Sequence, residues 1–251
     1  MFGNMYRIAN RAAVEMQRPA TIAENMAGSS LPGYCGKHLV TRSFDQQLDR
    51  AMSKYERTGY GAAARTTVTD FRPGALQRTG RPLDFVVEGG GWFVVNDAAG
   101  RELLTRNGSF RLSADRVLHT HEGLQVMGRQ GPIRLGDDES LRDLQVGSDG
   151  VLSVPGAGGE LRAIGQLRTV MVDRPEQLQR VSGCLFEAGN PELVRDPEAG
   201  EAQVRNGFCQ YSNTSAVREM TAMVQSLRTF EAAQKILKLQ DSLLRRHVQG
   251  K

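Results

Sequence analysis

Leu83-Asp84-Phe85-Val86-Val87-Glu88-Gly89-Gly90-Gly91-Trp92-Phe93-Val94-Val95 is the stretch whose reading decides the fold class. Two short runs of valine and aromatic residues sit either side of three glycines, the pattern of strands about a tight turn. A phosphate-cradling glycine loop would hand its ligand to a helix N-terminus. The residues after these glycines are Trp92-Phe93-Val94-Val95, a strand pattern. Outward from this centre, the region from about Tyr60 to Asn206 keeps the same character. Asn107-Gly108 and Asp149-Gly150 are turn dipeptides beside Phe110-Arg111-Leu112 and Val151-Leu152-Ser153-Val154, and Ile164 to Asp173 supplies another strand. Turn signals recur every eight to twelve residues or so, the spacing of an all-β domain. The 28 glycines among 251 residues fit a turn-rich β component.

Helical patterns occur at the two ends. Met5, Ala9, Ala12, Met16, Ala23 and Met26 fall at spacings of four and three, a heptad-like seam interrupted by Pro19. Pro19 is expected to kink the helix or to start a second one. Gly28-Ser29-Ser30-Leu31-Pro32-Gly33 is a stop signal. Near the other end, Met220, Met223, Leu227, Phe230, Gln234, Leu237, Asp241 and Leu244 alternate by three and four. Val217, Val224, Ile236, Leu239 and Leu243 widen the stripe on neighbouring faces. Ser212-Asn213-Thr214-Ser215 offers N-caps, Glu219 lies near the first turn, and Arg245 and Arg246 lie in the last. The expectation is one helix of roughly 30 residues, about 45 Å long.

The composition is that of a globular chain, with 39% hydrophobic and 24% charged residues, which excludes collagen, a fully disordered chain and a coiled coil throughout. A length of 251 residues suits one large domain or two small ones. The net charge of +4 resides in the tail, where residues 213–251 hold seven basic and three acidic side chains, leaving 25 of each elsewhere. Spread along a helical pattern, these charges read as a solvated face, and nucleic acid is not an expected partner. No run of about 18 apolar residues is present, so no membrane insertion is expected. No cleavable signal peptide is visible, because Arg7, Arg11 and Glu15 interrupt any apolar core, and on sequence alone the chain reads as cytoplasmic.

Catalytic constellations are not evident. His119 and His121 would share a strand face, but a zinc site needs three or four ligands, and His38 and His247 belong to other segments. Asp137-Asp138-Glu139 does not match a calcium loop. Gly108-Ser109-Phe110 comes after a hairpin turn rather than at a nucleophile elbow. Cys35-Gly36-Lys37-His38 places a thiol near a base, weak grounds for a nucleophile. The three cysteines, Cys35, Cys184 and Cys209, form no metal spacing, and a Cys184–Cys209 bridge stays open. No enzyme, cofactor or metal is expected. The terminal helices either pack on each other or on the β-domain, or order on association with neighbouring copies.

Several blocks resemble the flagellar hook–basal body rod proteins of bacteria. Thr21-Ile22-Ala23-Glu24-Asn25-Met26-Ala27 with Pro32-Gly33-Tyr34 after it is similar to the family's N-terminal signature. The stretch from Thr79 to Phe93 resembles its central segment, and Thr105-Arg106-Asn107-Gly108-Ser109-Phe110 its hairpin. Ser212-Asn213, Glu219-Met220 and Arg228-Thr229-Phe230-Glu231-Ala232 resemble its C-terminal signature. Gly28, Cys35 and Pro19 depart from the family pattern.

The resemblance implies an α+β fold with N- and C-terminal helices forming a coiled-coil-like stem and a central all-β domain, barrel- or sandwich-like. The boundaries expected are a helical stem and turn over 1–56, an extended connector over 57–82, the β-domain over 83–206 and the C-terminal helix over 207–251. It also implies a structural axial subunit, with the length suiting the proximal or distal rod and the proximal favoured. Implied partners are copies of itself, other rod and hook axial proteins, and the flagellar type III export apparatus. The implied location is the periplasmic rod, which replaces the cytoplasmic reading. Implied interface residues are Met5, Ala9, Ala12, Met16 and Met26 against Val217, Met220, Met223, Leu227, Phe230, Leu237 and Leu244. The alternatives are a distal-rod or hook-type axial subunit and, after these, a periplasmic glycan-binding β-domain, which would need an exposed aromatic platform, and Trp92 is the one tryptophan.

Overall fold

The computed structural model describes residues 18–42, 64–136, 141, 144–156 and 160–249. A helix, α1 (Arg18–Gly28), precedes β1 (Lys37–Arg42) and β2 (Ala64–Thr69), and next come β3 (Leu76–Arg78), β4 (Phe85–Glu88) and β5 (Trp92–Asn96). After these stand β6 (Glu102–Thr105), β7 (Arg111–Leu112), β8 (Leu118–His119), β9 (Gln125–Gly128) and β10 (Gly131–Pro132). Then come β11 (Gln145–Val146), β12 (Val151–Pro155), β13 (Leu161–Gln166), β14 (Thr169–Val172) and β15 (Leu178–Ser182). The last strands are β16 (Leu185–Ala188), β17 (Val194–Arg195), β18 (Gln203–Asn206) and β19 (Phe208–Gln210), after which α2 (Ala216–Gln249) ends the described chain. The described residues form two compact units. A helical unit holds 18–27, 37–42, 64–70 and 215–249, and a β unit holds 28–36 and the described residues from 71 to 214.

The apolar run at β5 has a packing reason. Phe93 and Val95 face one core with Phe85, Phe110 and Leu118, whereas Trp92 and Val94 face a second with Cys35, Val170 and Phe186. Leu103 and Leu104 on β6 and Leu185 and Phe186 on β16 divide between the same two cores. The large sheet is therefore buried on both faces, which is why its strands read as continuous apolar runs rather than alternating ones. Its path runs β15-β16-β6-β5-β9-β8-β7, with β14 beside β5, β17 beside β14 and β10 beside β9. A three-stranded sheet, β11-β12-β13, and two pairs, β18-β4 and β19-β3, complete the β unit. Edge-to-face rings hold each core: Phe93 and Phe110 at 5.2 Å in the first, Trp92 and Phe186 at 5.3 Å in the second.

The triglycine is a bend between strands that do not pair. β4 pairs with β18, joining Val87 to Val204, while β5 pairs with β6, β9 and β14. Gly89 has φ +88°, and a Cβ there would lie 1.9 Å from the Glu201 carbonyl oxygen, so only glycine fits. Asp149-Gly150 does close a hairpin, between β11 and β12, with Gly150 at φ +81°. The strand expected from Ile164 to Asp173 is divided into β13 and β14 at Leu167-Arg168.

The expectation of an α+β fold with a coiled-coil-like stem is corrected here. The described chain is mostly β, with a central β domain and two α-helices, and no coiled-coil stem is formed among the described residues. The physical reason lies in α1. Pro19 is the second described residue of α1, and the helix runs on from it to Gly28. The eleven described residues make about three turns. The buried edge of α1 is Ile22, Asn25 and Gly28, with Ala23 exposed and Met26 half-buried. An asparagine at the centre of that edge makes hydrogen bonds, not knobs-into-holes packing.

Candidate functional site

The longest exposed apolar feature lies on α2. The Ser215 carbonyl oxygen accepts the first helical bond, from Glu219 N at 2.9 Å, and Glu219 places its negative charge against the positive end of the helix dipole. The hydroxyls of Thr221 and Thr229 donate to the carbonyls of Val217 and Gln225, so those polar groups are satisfied within the helix. At 100° per residue, Val217, Met220, Val224 and Leu227 share an arc of about 80°. They are exposed by 73, 55, 49 and 47%. Ala222, Met223 and Phe230 are half-buried and Ser226 is buried on a face centred about 120° away. Beyond Leu227 the exposed face continues as Arg228, Glu231, Lys235 and Lys238. Ile236 and Leu239 are exposed on the adjoining side.

The expected interface residues therefore part company. Val217, Met220 and Leu227 are exposed, and Val224, read only as widening the stripe, joins them. Met223 and Phe230 are half-buried on the other face, and Met26 is half-buried on α1. Leu237 and Leu244 lie within α2, but their side chains are outside the described residues, as are Met5, Ala9, Ala12 and Met16 altogether.

The helical unit has a polar clamp that apolar spacing did not reveal. Asn25, 2% exposed, accepts a hydrogen bond from Lys37 N at 2.8 Å through Oδ1 and donates through Nδ2 to Lys37 O, also at 2.8 Å. The same Nδ2 reaches Glu219 Oε1 at 3.5 Å, and Lys37 Nζ donates to Glu24 Oε2 at 2.6 Å. One side chain thus joins the last turn of α1, the start of β1 and the first turn of α2. The sequence signal was present in Ile22-x-x-Asn25-x-x-Gly28, a polar residue on a buried edge. Replacing Asn25 by Ala leaves the Lys37 backbone donor and acceptor without partners and is expected to cost about 2 kcal/mol. Native-state hydrogen exchange checks this: the Lys37 amide should lose protection in the variant while the strands of the β unit keep theirs.

In the β unit the segment from Gly28 to Gly36 forms a strap. Gly33 N donates to Gln210 O at 2.8 Å, and Asn213 N donates to Tyr34 O at 3.2 Å. Gly33 has φ +68°, and a Cβ there would lie 2.4 Å from Asn107 N, a close approach only glycine permits. The Arg180 guanidinium stacks 4.9 Å from the Tyr34 ring and 4.7 Å from the Phe186 ring, and donates to Cys35 O. Cys35 is a member of the second core.

The remaining chemical candidates resolve into buried or paired groups. All three cysteines are buried and in no disulfide, so the Cys184–Cys209 bridge left open by the sequence is not formed. Burial pushes the Cys184 thiol up to about 12 and the Cys209 thiol up to about 11, which makes both poor nucleophiles at neutral pH. Among the described residues no group of three His, Cys, Asp or Glu side chains could hold a metal. His119 Nδ1 lies 2.9 Å from Val117 O. Asp137-Asp138-Glu139 falls outside the described residues. Trp92 is 1% exposed and offers no platform to a sugar ring. A cleft of about 200 Å³ beside the triglycine is lined by Pro73, Leu76, Val87, Arg106 and Gln210 among others, and its one carboxylate, Glu88, pairs with Arg205 at 2.6 Å. Among the described helices none is long and apolar enough to cross a membrane.

Comparison with known proteins bears on both regions. Residues 86–154 match a family model described as the flagellar hook protein FlgE/F/G D1 domain. Residues 205–249, which include all of α2, match one described as the flagellar basal body rod FlgEFG protein C-terminal. The chain is 30% identical over 250 residues to the flagellar basal-body rod protein FlgF of Salmonella typhimurium, covering 93% of this chain and 92% of the relative. It is 29% identical over 249 residues to FlgF of Escherichia coli K12, with the same shares covered. To the flagellar basal-body rod protein FlgG of Bacillus subtilis it is 29% identical over 192 residues, 74% of this chain and 72% of the relative.

Proposed function

Because the chain belongs to the flagellar basal-body rod protein family and is a structural subunit of the rod, we propose that it joins its neighbours through the exposed face of α2. The observation that carries this reading is the run Val217, Met220, Val224 and Leu227, exposed along two turns and more of a helix. Such a contiguous apolar strip on a free subunit marks an interaction surface. The helix carries its half-buried residues on a different face, so the exposed one is available to an unlike surface of a neighbour, a heterologous contact. Heterologous contacts whose operator does not close generate open helical tubes, the architecture a rod requires. Met220 tolerates the slightly unequal environments that successive copies present.

The partners in this reading are copies of the chain and other axial proteins of the rod and hook. The flagellar type III export apparatus delivers the subunit, and the assembled chain lies in the periplasmic part of the basal body, in the proximal segment of the rod. A catalytic role has no support from the buried thiols or the single-carboxylate cleft.

The test is cross-linking from the strip. The three native thiols are buried, so Val224→Cys introduces the accessible one. In isolated basal bodies this variant, carrying a maleimide–benzophenone on its new thiol, should photo-cross-link to a second copy or to an adjoining rod protein. Recovery of monomer alone, from rods that assembled normally, would overturn the reading.

A further inference from the structure

Asn213 ties two other stretches of the β unit to its own. Its backbone N–H donates to Tyr34 O at 3.2 Å, its Oδ1 accepts from Gly36 N at 2.7 Å, and its Nδ2 donates to Arg72 O at 3.0 Å. These stretches are the ones through which the chain leaves the unit, since Gly36, Phe71 and Thr214 each stand at a boundary of it. The strap from Gly28 to Gly36 contains no strand, and two of its bonds, from Gly33 to Gln210 and from Tyr34 to Asn213, reach the same short segment. Two thiols are covered when it is closed: Cys35, within the strap and 1% exposed, and Cys184, 4% exposed, whose Sγ lies 3.3 Å from Pro32 O.

We propose that Asn213 is the positioning residue of a latch that closes the strap over the second core, so that its release uncovers Cys35 and Cys184 together while the sheets stay paired. Segments held by a few bonds open at lower free energy than strands locked into a sheet, and they open as a unit. The strap precedes Asn213 by about 180 positions, so this latch closes last, on a chain complete through residue 213. A subunit truncated before that point keeps its strand-forming sequences from β3 to β18 but leaves the second core open at Cys35. This inference goes beyond the assembly reading and does not depend on which residues contact a neighbour.

The experiment is thiol modification of the full chain with a maleimide at neutral pH, each cysteine tracked by mass spectrometry. Buried thiols meet a maleimide only from an opened state, so the labelling rate reports opening. With Asn213→Ala, Cys35 and Cys184 should be labelled about tenfold faster or more, the equivalent of losing a hydrogen bond or two. Cys209, on β19, should keep its wild-type rate. Unchanged rates at Cys35 and Cys184, or all three cysteines rising together as in global unfolding, would overturn the latch. The unaltered chain gives a second reading that does not require the variant to fold. The amides of Gly33, Gly36 and Asn213 should exchange at one common rate; three unrelated rates would overturn it as well.

Discussion

Replacing Met220 and Leu227 together by glutamate is expected to abolish incorporation into the rod while leaving the free subunit folded. Both side chains are about half exposed in the subunit, at 55 and 47%, so their loss removes little internal packing. Surface substitutions of this kind usually change stability by no more than about 0.5 kcal/mol each. At an interface the balance is different. Fully burying a Met or Leu side chain contributes about 1.5–3 kcal/mol, and two carboxylates placed in an apolar contact without partners each cost several kcal/mol more. Repeated at every copy along a polymer, that reversal is decisive. The measurement is motility and basal-body yield in a strain whose sole copy carries both changes, beside thermal melting of the purified subunit. Normal rods containing the doubly charged variant would show that this face is not a contact.

The second large effect is expected at Trp92. Replacing it by Ala should destabilise the β unit by about 3–5 kcal/mol, the usual cost of deleting a large buried aromatic side chain. Trp92 packs against Phe71 at 5.9 Å and Phe186 at 5.3 Å, and the Arg106 guanidinium lies 4.5 Å over its ring. Arg106 also donates to Phe71 O at 2.6 Å and Gly90 O at 3.3 Å, so removing the indole leaves a buried cation beside a cavity. Burial already holds the Arg106 pKa below its usual value. Denaturation monitored by circular dichroism measures the loss, since the variant lacks the fluorophore. Trp92→Phe keeps an aromatic ring and should lose less. A glycan platform would behave oppositely, with stability preserved and binding lost.

The β-domain was legible because its strands are apolar runs bounded by Asn-Gly, Asp-Gly and Gly-Gly, and these signals are local. Partner choice was not, because it is a long-range property. Nothing in Phe85–Glu88 indicates that it pairs with Gln203–Asn206 rather than with the strand seven residues on. Nor does a run from Ile164 to Asp173 disclose the break at Leu167-Arg168 that sends its two halves to different sheets.

The C-terminal helix was legible from its three-and-four spacing, but its exposed face was not. The row through Met220, Met223, Leu227 and Phe230 straddles a boundary: the first and third fall on the exposed side, the second and fourth on the half-buried one. A strict seven-residue repeat drifts by about 20° per heptad on a straight helix, so it cannot stay on one face along 34 residues. The coiled-coil-like stem failed for a related reason. Spacing counted Ala23 and Met26 and passed over Asn25, the residue that α1 buries most deeply. Asn25 and Asn213 act through hydrogen bonds to distant backbone, which hydrophobic periodicity cannot register. Asn25 entered the sequence reading as a letter in a family signature, and Asn213 as that and as an N-cap candidate.

Above all, the Val217–Leu227 face should be open in the subunit and covered in the rod. Oxidation of methionines by dilute hydrogen peroxide tests this on unaltered protein, because sulfoxide formation tracks exposure of the thioether. Met220, on the exposed face, and Met223, half-buried one turn away, serve as reporter and reference. In the free subunit Met220 should oxidise faster than Met223. In isolated basal bodies Met220 should be protected at least about tenfold, the consequence of closing apolar surface around it. Equal oxidation of Met220 in the free and assembled states would contradict the account.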